Sequence, residues 1–121
     1  MIRTAILGAS GYVGGELLRL IAAHPQLRAT KLFGETKAGR PIAETHPHSA
    51  PVYAESFERY DEAALADVDL VLAALPHGRS QAIAPAILDR GIPFVDLGAD
   101  FRLDDAEAYQ RWYGHEVSRR I

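Results

Sequence analysis

Three glycines three residues apart, Gly8, Gly11 and Gly14, stand almost at the start of the chain. They follow the apolar run Thr4-Ala5-Ile6-Leu7. They precede Leu17, Leu18, Ile21 and Ala22, which recur at helical spacing with Glu16 and Arg19 off the stripe. A short apolar run closed by glycine reads as a strand buried on both faces. The stripe reads as a helix over residues 12–24, ended by His24-Pro25 because a residue before proline disfavours helical backbone. A buried strand that turns into a helix through G-x-x-G-x-x-G leaves few folds open. It opens a βαβ unit of the dinucleotide-binding kind.

Each glycine has a task in such a turn. Gly8 permits the sharp exit from the strand, Gly11 lets the backbone approach a pyrophosphate, and Gly14 lets helix pack closely on strand. Amides at the helix start favour phosphate charge, and Ser10 adds a hydroxyl donor. Gly8, Ser10, Gly11, Tyr12, Val13 and Gly14 are the candidate pyrophosphate residues.

The rest of the chain repeats the alternation. Residues 28–33 read as a second strand, closed by Gly34. Residues 35–51 are polar and rich in glycine and proline, hence a loop, and its length suggests a functional one. Residues 61–65 read as a short helix and 69–75 as a buried strand stopped by Pro76. Ser80 is placed to cap a helix over 81–90 that ends at Gly91. Residues 93–97 form a further strand. Asp104-Asp105 starts a last helix carrying Tyr109, Trp112 and Tyr113, which read as packing residues. Alternating strands and helices predict an α/β, Rossmann-type, doubly wound and mostly parallel sheet with helices on both faces. The 121 residues make one NAD(P)-binding domain, with no linker or repeat.

Composition narrows the function. Apolar residues are 48% and the net charge is -3, with both signs dispersed, so nothing has the basic footprint of a nucleic-acid binder. No apolar run approaches the roughly 20 residues of a membrane span, and none resembles a signal peptide. There is no cysteine. That fits a reducing cytoplasm and removes any cysteine nucleophile. His46-x-His48 lacks a third ligand at recognisable spacing, so no metal is expected. No Tyr-x-x-x-Lys pair occurs, which sets aside short-chain reductases despite their similar glycine turn.

The end of the second strand bears on the cofactor. Glu35 suits the ribose 2′-hydroxyl of NAD, whereas Thr36, Lys37 and Arg40 offer a hydroxyl and two cations for the 2′-phosphate of NADP. Three groups against one favour NADP. The turn Leu75-Pro76-His77-Gly78 follows a strand at the end where doubly wound sheets bind ligands. His77 there either contacts the nicotinamide or only packs in its turn. Asp96 and Asp100 lie on a loop carrying Arg102, a phosphate-type cation; either carboxylate can hold it in place or simply cap the helix that starts near Asp104. Ser80 and Arg102 are the candidate substrate-side residues.

These segments together resemble the N-acetyl-gamma-glutamyl-phosphate reductases of the semialdehyde dehydrogenase superfamily. The likeness is carried by Gly8 through Leu20, His24-Pro25, Ala38-Gly39 and His46-Pro47-His48. It continues through Ala74-Leu75-Pro76-His77-Gly78-Arg79-Ser80, Asp96 through Leu103, and Trp112-Tyr113-Gly114. It implies arginine biosynthesis: reduction of N-acetyl-gamma-glutamyl phosphate with NADPH to N-acetylglutamate 5-semialdehyde, releasing phosphate. The family does this through a cysteine that attacks the acyl phosphate and a thioester that accepts hydride. By the resemblance, Gly8 to Gly14 hold pyrophosphate, Thr36 stands near the 2′-phosphate, Pro76, His77 and Gly78 lie near the cofactor, and Arg102 holds the substrate phosphate. Glu35 departs from the pattern, and so do residues 115–121. The family's cysteine, in a Pro-Gly-Cys motif, and its histidine base have no counterpart here. The reading is therefore a cofactor-domain fragment, inactive alone, of a cytoplasmic and homo-oligomeric enzyme. The equivalent domain of the lysine-pathway aminoadipyl-phosphate reductase and a non-catalytic NADP-binding module are the alternatives.

Overall fold

Four parallel strands stand side by side in the order β2-β1-β3-β4: β1 (Ile2–Leu7), β2 (Leu27–Phe33), β3 (Leu70–Ala73) and β4 (Phe94–Asp96). The structure is a computed structural model and describes residues 1–76, 78–98, 107, 110 and 111. The expected doubly wound parallel sheet is the sheet that forms. Helix α1 (Tyr12–Ala22) links β1 to β2, and α3 (Ser80–Asp89) links β3 to β4. Between them, α2 (Ile42–Thr45) lies in the long excursion that carries the chain from one side of β1 to the other.

Alternation along the strands builds two cores. Ala5, Leu7, Phe33, Val71 and Ala73 face one side, where Ile87 of α3 packs with Leu65 and Ile92. Ile6 and Leu32 face the other, against Leu18 and Ile21 of α1 and Ile42, Tyr53 and Phe57 of the excursion. Strands buried on both faces need continuous apolar sequence, which is why β1 and β3 show no polar alternation. Leu18 and Ile21 are 0% and 5% exposed. Burial of that order contributes about 1.5–3 kcal/mol per side chain.

The excursion corrects the expected loop over residues 35–51. It holds α2 and a 3-10 turn, Pro47–Ser49, and Ile42, His46 and Ser49 are buried. Its backbone is paired as well: Gly34 N donates to Glu58 O, Phe57 N to Arg40 O, and Ile42 N to Glu55 O. A four-residue helix is too short to show a period. The short helix expected at 61–65 is a 3-10 segment, Glu62–Asp67, started by Asp61, whose carboxylate accepts from Ala63 N at 3.1 Å. Helix α1 ends at Ala22 rather than 24. The His24 Nδ1 instead accepts from Gln26 N and Leu27 N and starts β2. The helix expected after Asp104 lies outside the described residues, as do Tyr109, Trp112 and Tyr113. Among the described residues, no helix is long and apolar enough to cross a membrane.

The entry to the sheet is clamped by charge. The Asp69 carboxylate accepts from the Arg3 backbone at 2.9 Å and from its guanidinium at 3.0 and 3.2 Å. These bonds from Arg3 lower the Asp69 pKa to about 2. A carboxylate held below its unfolded value, about 3.9, stabilises the fold above that pH and loses the contribution as pH falls toward about 2. In Asp69→Asn, the melting temperature is expected to fall less steeply between about pH 4 and pH 2 than in the unsubstituted chain. Parallel melting curves for the two would speak against the clamp.

Candidate functional site

The strand order reverses direction at β1. The chain leaves β1 toward β2 on one side and later returns through β3 on the other. Beyond the carboxyl ends of strands that diverge in this way a crevice opens, and doubly wound sheets bind ligands there. A groove of about 390 Å³ lies at this place, lined by Gly8, Ser10, Gly11, Tyr12 and Val13 from the first turn. Glu35 and Thr36 line it beyond β2, and Ala74, Leu75 and Pro76 beyond β3. A larger hollow, about 470 Å³, sits elsewhere, among Met1, Leu27, Arg28, Thr30, Tyr53 and Glu55 near the start of β2. It lies away from the carboxyl ends, so size is the poorer guide here.

The turn is held by three backbone bonds to the ends of β2 and β3. Gly8 N and Ala9 N both donate to the Phe33 carbonyl, at 3.1 and 2.9 Å, and Ala74 N donates to Leu7 O at 2.8 Å. Gly8 has φ +76°, a conformation that favours glycine, and a Cβ there would lie 2.8 Å from the Ala74 carbonyl carbon. At Gly14 a Cβ would stand 2.6 Å from Ala9 Cα. The first and third glycines thus have the expected tasks, the third by seating α1 directly on the turn.

Gly11 is different. A Cβ there would meet only Gly8 O at 3.6 Å, an ordinary contact, and its φ of −81° suits any residue. Protein packing does not require glycine at this position, so the room it leaves belongs to the groove. Gly11 is also the N-cap of α1, and no side chain caps the helix. Helix geometry leaves the amides of Tyr12, Val13 and Gly14 without intrahelical acceptors. These residues fit a pyrophosphate: donors point out of a helix start with no competing acidic group in its first turn. Tyr12 is fully exposed at the groove and Val13 is 52% exposed.

A buried histidine supports the turn from behind. His46 Nε2 lies 2.8 Å from the Ala9 carbonyl. A carbonyl only accepts, so Nε2 carries the proton. His46 is 7% exposed, and a Cβ on Gly15 would lie 2.6 Å from its Cε1. The second glycine of Gly14-Gly15 therefore makes room for His46. The His46-x-His48 pair places one ring in this support, with the two ring centroids 5.8 Å apart. Among the described residues, no group of three or more metal-type ligands gathers.

The end of the groove beyond β2 is less uniform than expected. Thr36 lines it, but Lys37 and Arg40 stand outside the lining. Arg40 is spent on Glu44, at 2.8 Å one helical turn away. Glu35 is paired with Arg79 at 2.6 Å. Nothing local in sequence connects Arg79 to Glu35, 44 residues earlier.

On the substrate side, Ser80 differs from its expected role. It is the first residue of α3 rather than its cap, which is Arg79. It is 1% exposed, and its hydroxyl donates to Asp96 Oδ1 at 3.0 Å. The same oxygen accepts from Gly98 N at 2.8 Å. Asp96 thereby ties the exit of β4 to the start of α3. Gly78, with φ +91°, forms the turn after Pro76, and Arg79 N donates to Pro76 O at 3.2 Å. His77, Asp100 and Arg102 lie outside the described residues.

Comparison with known proteins agrees with this geometry. Residues 3–117 match the family described as semialdehyde dehydrogenase, NAD binding domain. An N-acetyl-gamma-glutamyl-phosphate reductase of Acidothermus cellulolyticus is 51% identical over 93% of this chain and 32% of its own length. One from Ruegeria pomeroyi is 50% identical over 94% and 33%. A LysW-L-2-aminoadipate/LysW-L-glutamate phosphate reductase of Sulfurisphaera tokodaii is 44% identical over 96% and 34%. The chain thus spans about a third of the length of the curated relatives it matches. Among solved structures, an aspartate semialdehyde dehydrogenase with NADP from Candida albicans superposes with a TM-score of 0.73. It is 16% identical and covers 88% of this chain and 32% of that one, which shows a shared fold. The chain belongs to the semialdehyde dehydrogenase NAD-binding domain family.

Proposed function

We propose that this chain is the NADP-binding domain of an N-acetyl-gamma-glutamyl-phosphate reductase, an oxidoreductase of arginine biosynthesis. That enzyme reduces N-acetyl-gamma-glutamyl phosphate to N-acetylglutamate 5-semialdehyde. The observation that carries the cofactor reading is the groove at the switch point. Its floor holds Gly11, a glycine that the protein's own packing does not need, beside helix-start amides that lack acceptors. When bound, the dinucleotide supplies hydride. The chain's own residues hold and orient it: the turn takes the pyrophosphate, Ala74 to Pro76 wall the groove, and Thr36 stands at the 2′ end. Lys37 adds cationic charge just outside the lining, where Arg40 also stands, paired with Glu44.

The choice of substrate rests on relatives at 50% and 51% identity that carry the arginine-pathway name. The lysine-pathway reading is favoured by the relative at 44%. His77 near the cofactor, Arg102 toward the substrate phosphate, a cytoplasmic location and a homo-oligomeric complete enzyme belong to the same proposal. The chain contains no cysteine to form a thioester.

Calorimetric titration tests the cofactor. NADPH is expected to bind about tenfold or more tightly than NADH, the size of one charge-assisted contact to the 2′-phosphate. Equal or reversed affinities would refute the NADP assignment. In the same preparation, phosphate-dependent aldehyde oxidation is expected to be undetectable, and turnover would refute the need for a cysteine.

A further inference from the structure

Glu35 stands where a carboxylate accepts from the ribose 2′-hydroxyl of NAD, and it lines the groove. An unpaired carboxylate there would repel a 2′-phosphate. It is not unpaired: Arg79 Nη2 donates to its Oε1 at 2.6 Å. The two residues come from opposite sides of the switch point. Glu35 follows β2 across Gly34, and Arg79 precedes α3 at the end of the Pro76–Arg79 turn. Their pair bridges the two segments that flank the groove at its 2′ end.

The neighbouring cations rank differently from their order in sequence. Arg40 already neutralises Glu44. Lys37 makes no ion pair among the described residues but stands outside the lining. Arg79 also stands outside the lining, but it is in contact with a residue that lines the groove, Glu35. Its planar fork has five N–H donors, of which Nη2 serves Glu35, so others remain for a phosphate.

We propose that Arg79 sets the preference for NADP over NAD by cancelling the charge of Glu35 and presenting its remaining donors to the 2′-phosphate. This rests on the NADP reading above. Glu35 and Arg79 together form a two-way selector. With Arg79 present the site takes a phosphate, and without it the freed carboxylate takes a hydroxyl. Both side chains are about half exposed, so substitution leaves the core untouched.

Affinities of NADPH and NADH for the 121-residue chain test this in four variants. Arg79→Gln is expected to weaken NADPH about 10- to 100-fold while NADH holds or tightens, so that the preference collapses or inverts. Arg79→Lys is expected to keep part of it, since a point charge replaces a fork. Glu35→Gln is expected to weaken NADH and to hold or improve NADPH. In the double variant Arg79→Gln/Glu35→Gln, the NADPH:NADH ratio is expected to lie between those of the two single variants. A brace without a role in recognition would change both affinities equally and leave the ratio unmoved, and that result would overturn the proposal. A failed NADP reading would show separately, as no preference for NADPH in the unsubstituted chain.

Discussion

Gly14→Ala is expected to destabilise the chain by about 3 kcal/mol or more and to abolish measurable dinucleotide binding. A methyl at this position would lie 2.6 Å from Ala9 Cα and 2.7 Å from Ala9 C. Both are backbone atoms of a turn whose amides are fixed on the Phe33 carbonyl, so neither can yield cheaply. Helix α1 must then tilt off β1 and uncover Leu18 and Ile21, two of the side chains that form the core on that face. Gly11→Ala, three residues earlier, is expected to separate the two effects. Its methyl meets only an ordinary 3.6 Å contact, so stability should change by about 1 kcal/mol or less. Binding should still fall about 100-fold, because the methyl occupies the room into which a pyrophosphate must fit. Thermal melts and NADPH titrations of both variants check the contrast. A stable Gly11→Ala protein that still binds normally would remove the pyrophosphate from this turn.

His46→Ala is expected to cost about 2–4 kcal/mol and to weaken NADPH binding together with stability. The substitution empties a buried site against Gly15 and leaves the Ala9 carbonyl without its donor. That carbonyl sits between Gly8 and Ser10, so its release loosens the turn that faces the groove. His46→Phe keeps most of the volume but has no donor, and it is expected to recover part of the stability with little of the affinity. His46→Gln restores an N–H donor and is expected to do the reverse. If Phe restored binding as well as Gln, the ring would act through packing alone.

The first turn was legible because its signals are local. The glycine spacing, the stripe at Leu18 and Ile21 and the apolar run around β3 need only near neighbours to be read. Strand and helix ends drifted by a residue or two, as when 69–75 became Leu70–Ala73, because pairing with β1 and β4 sets the ends. The supports of the site were not legible, since each depends on a distant partner. His46 meets Ala9 across 37 residues, Tyr53 donates to Leu18 O across 35, and Arg79 meets Glu35 across 44. The polar stretch 35–51 looked like a loop for the same reason. Ile42 and His46 are buried by α1, β1 and Phe57, none of which leaves a mark on the local pattern. Counting cations near Glu35 favoured Lys37 and Arg40. Geometry moves the weight to Arg79, because its partner Glu35 lines the groove whereas Arg40's partner Glu44 does not.

Titration of the isotope-labelled chain with NADPH, followed by amide NMR, tests most directly whether the groove at the switch point holds the dinucleotide. The largest shifts are expected at Gly11, Tyr12, Val13 and Gly14, followed by Glu35, Thr36, Ala74 and Leu75. Arg28, Thr30, Tyr53 and Glu55, around the larger hollow near the start of β2, are expected to stay still. Shifts gathered around that second hollow, or no shifts at about millimolar NADPH, where binding is worth only about 4 kcal/mol, would contradict the assignment.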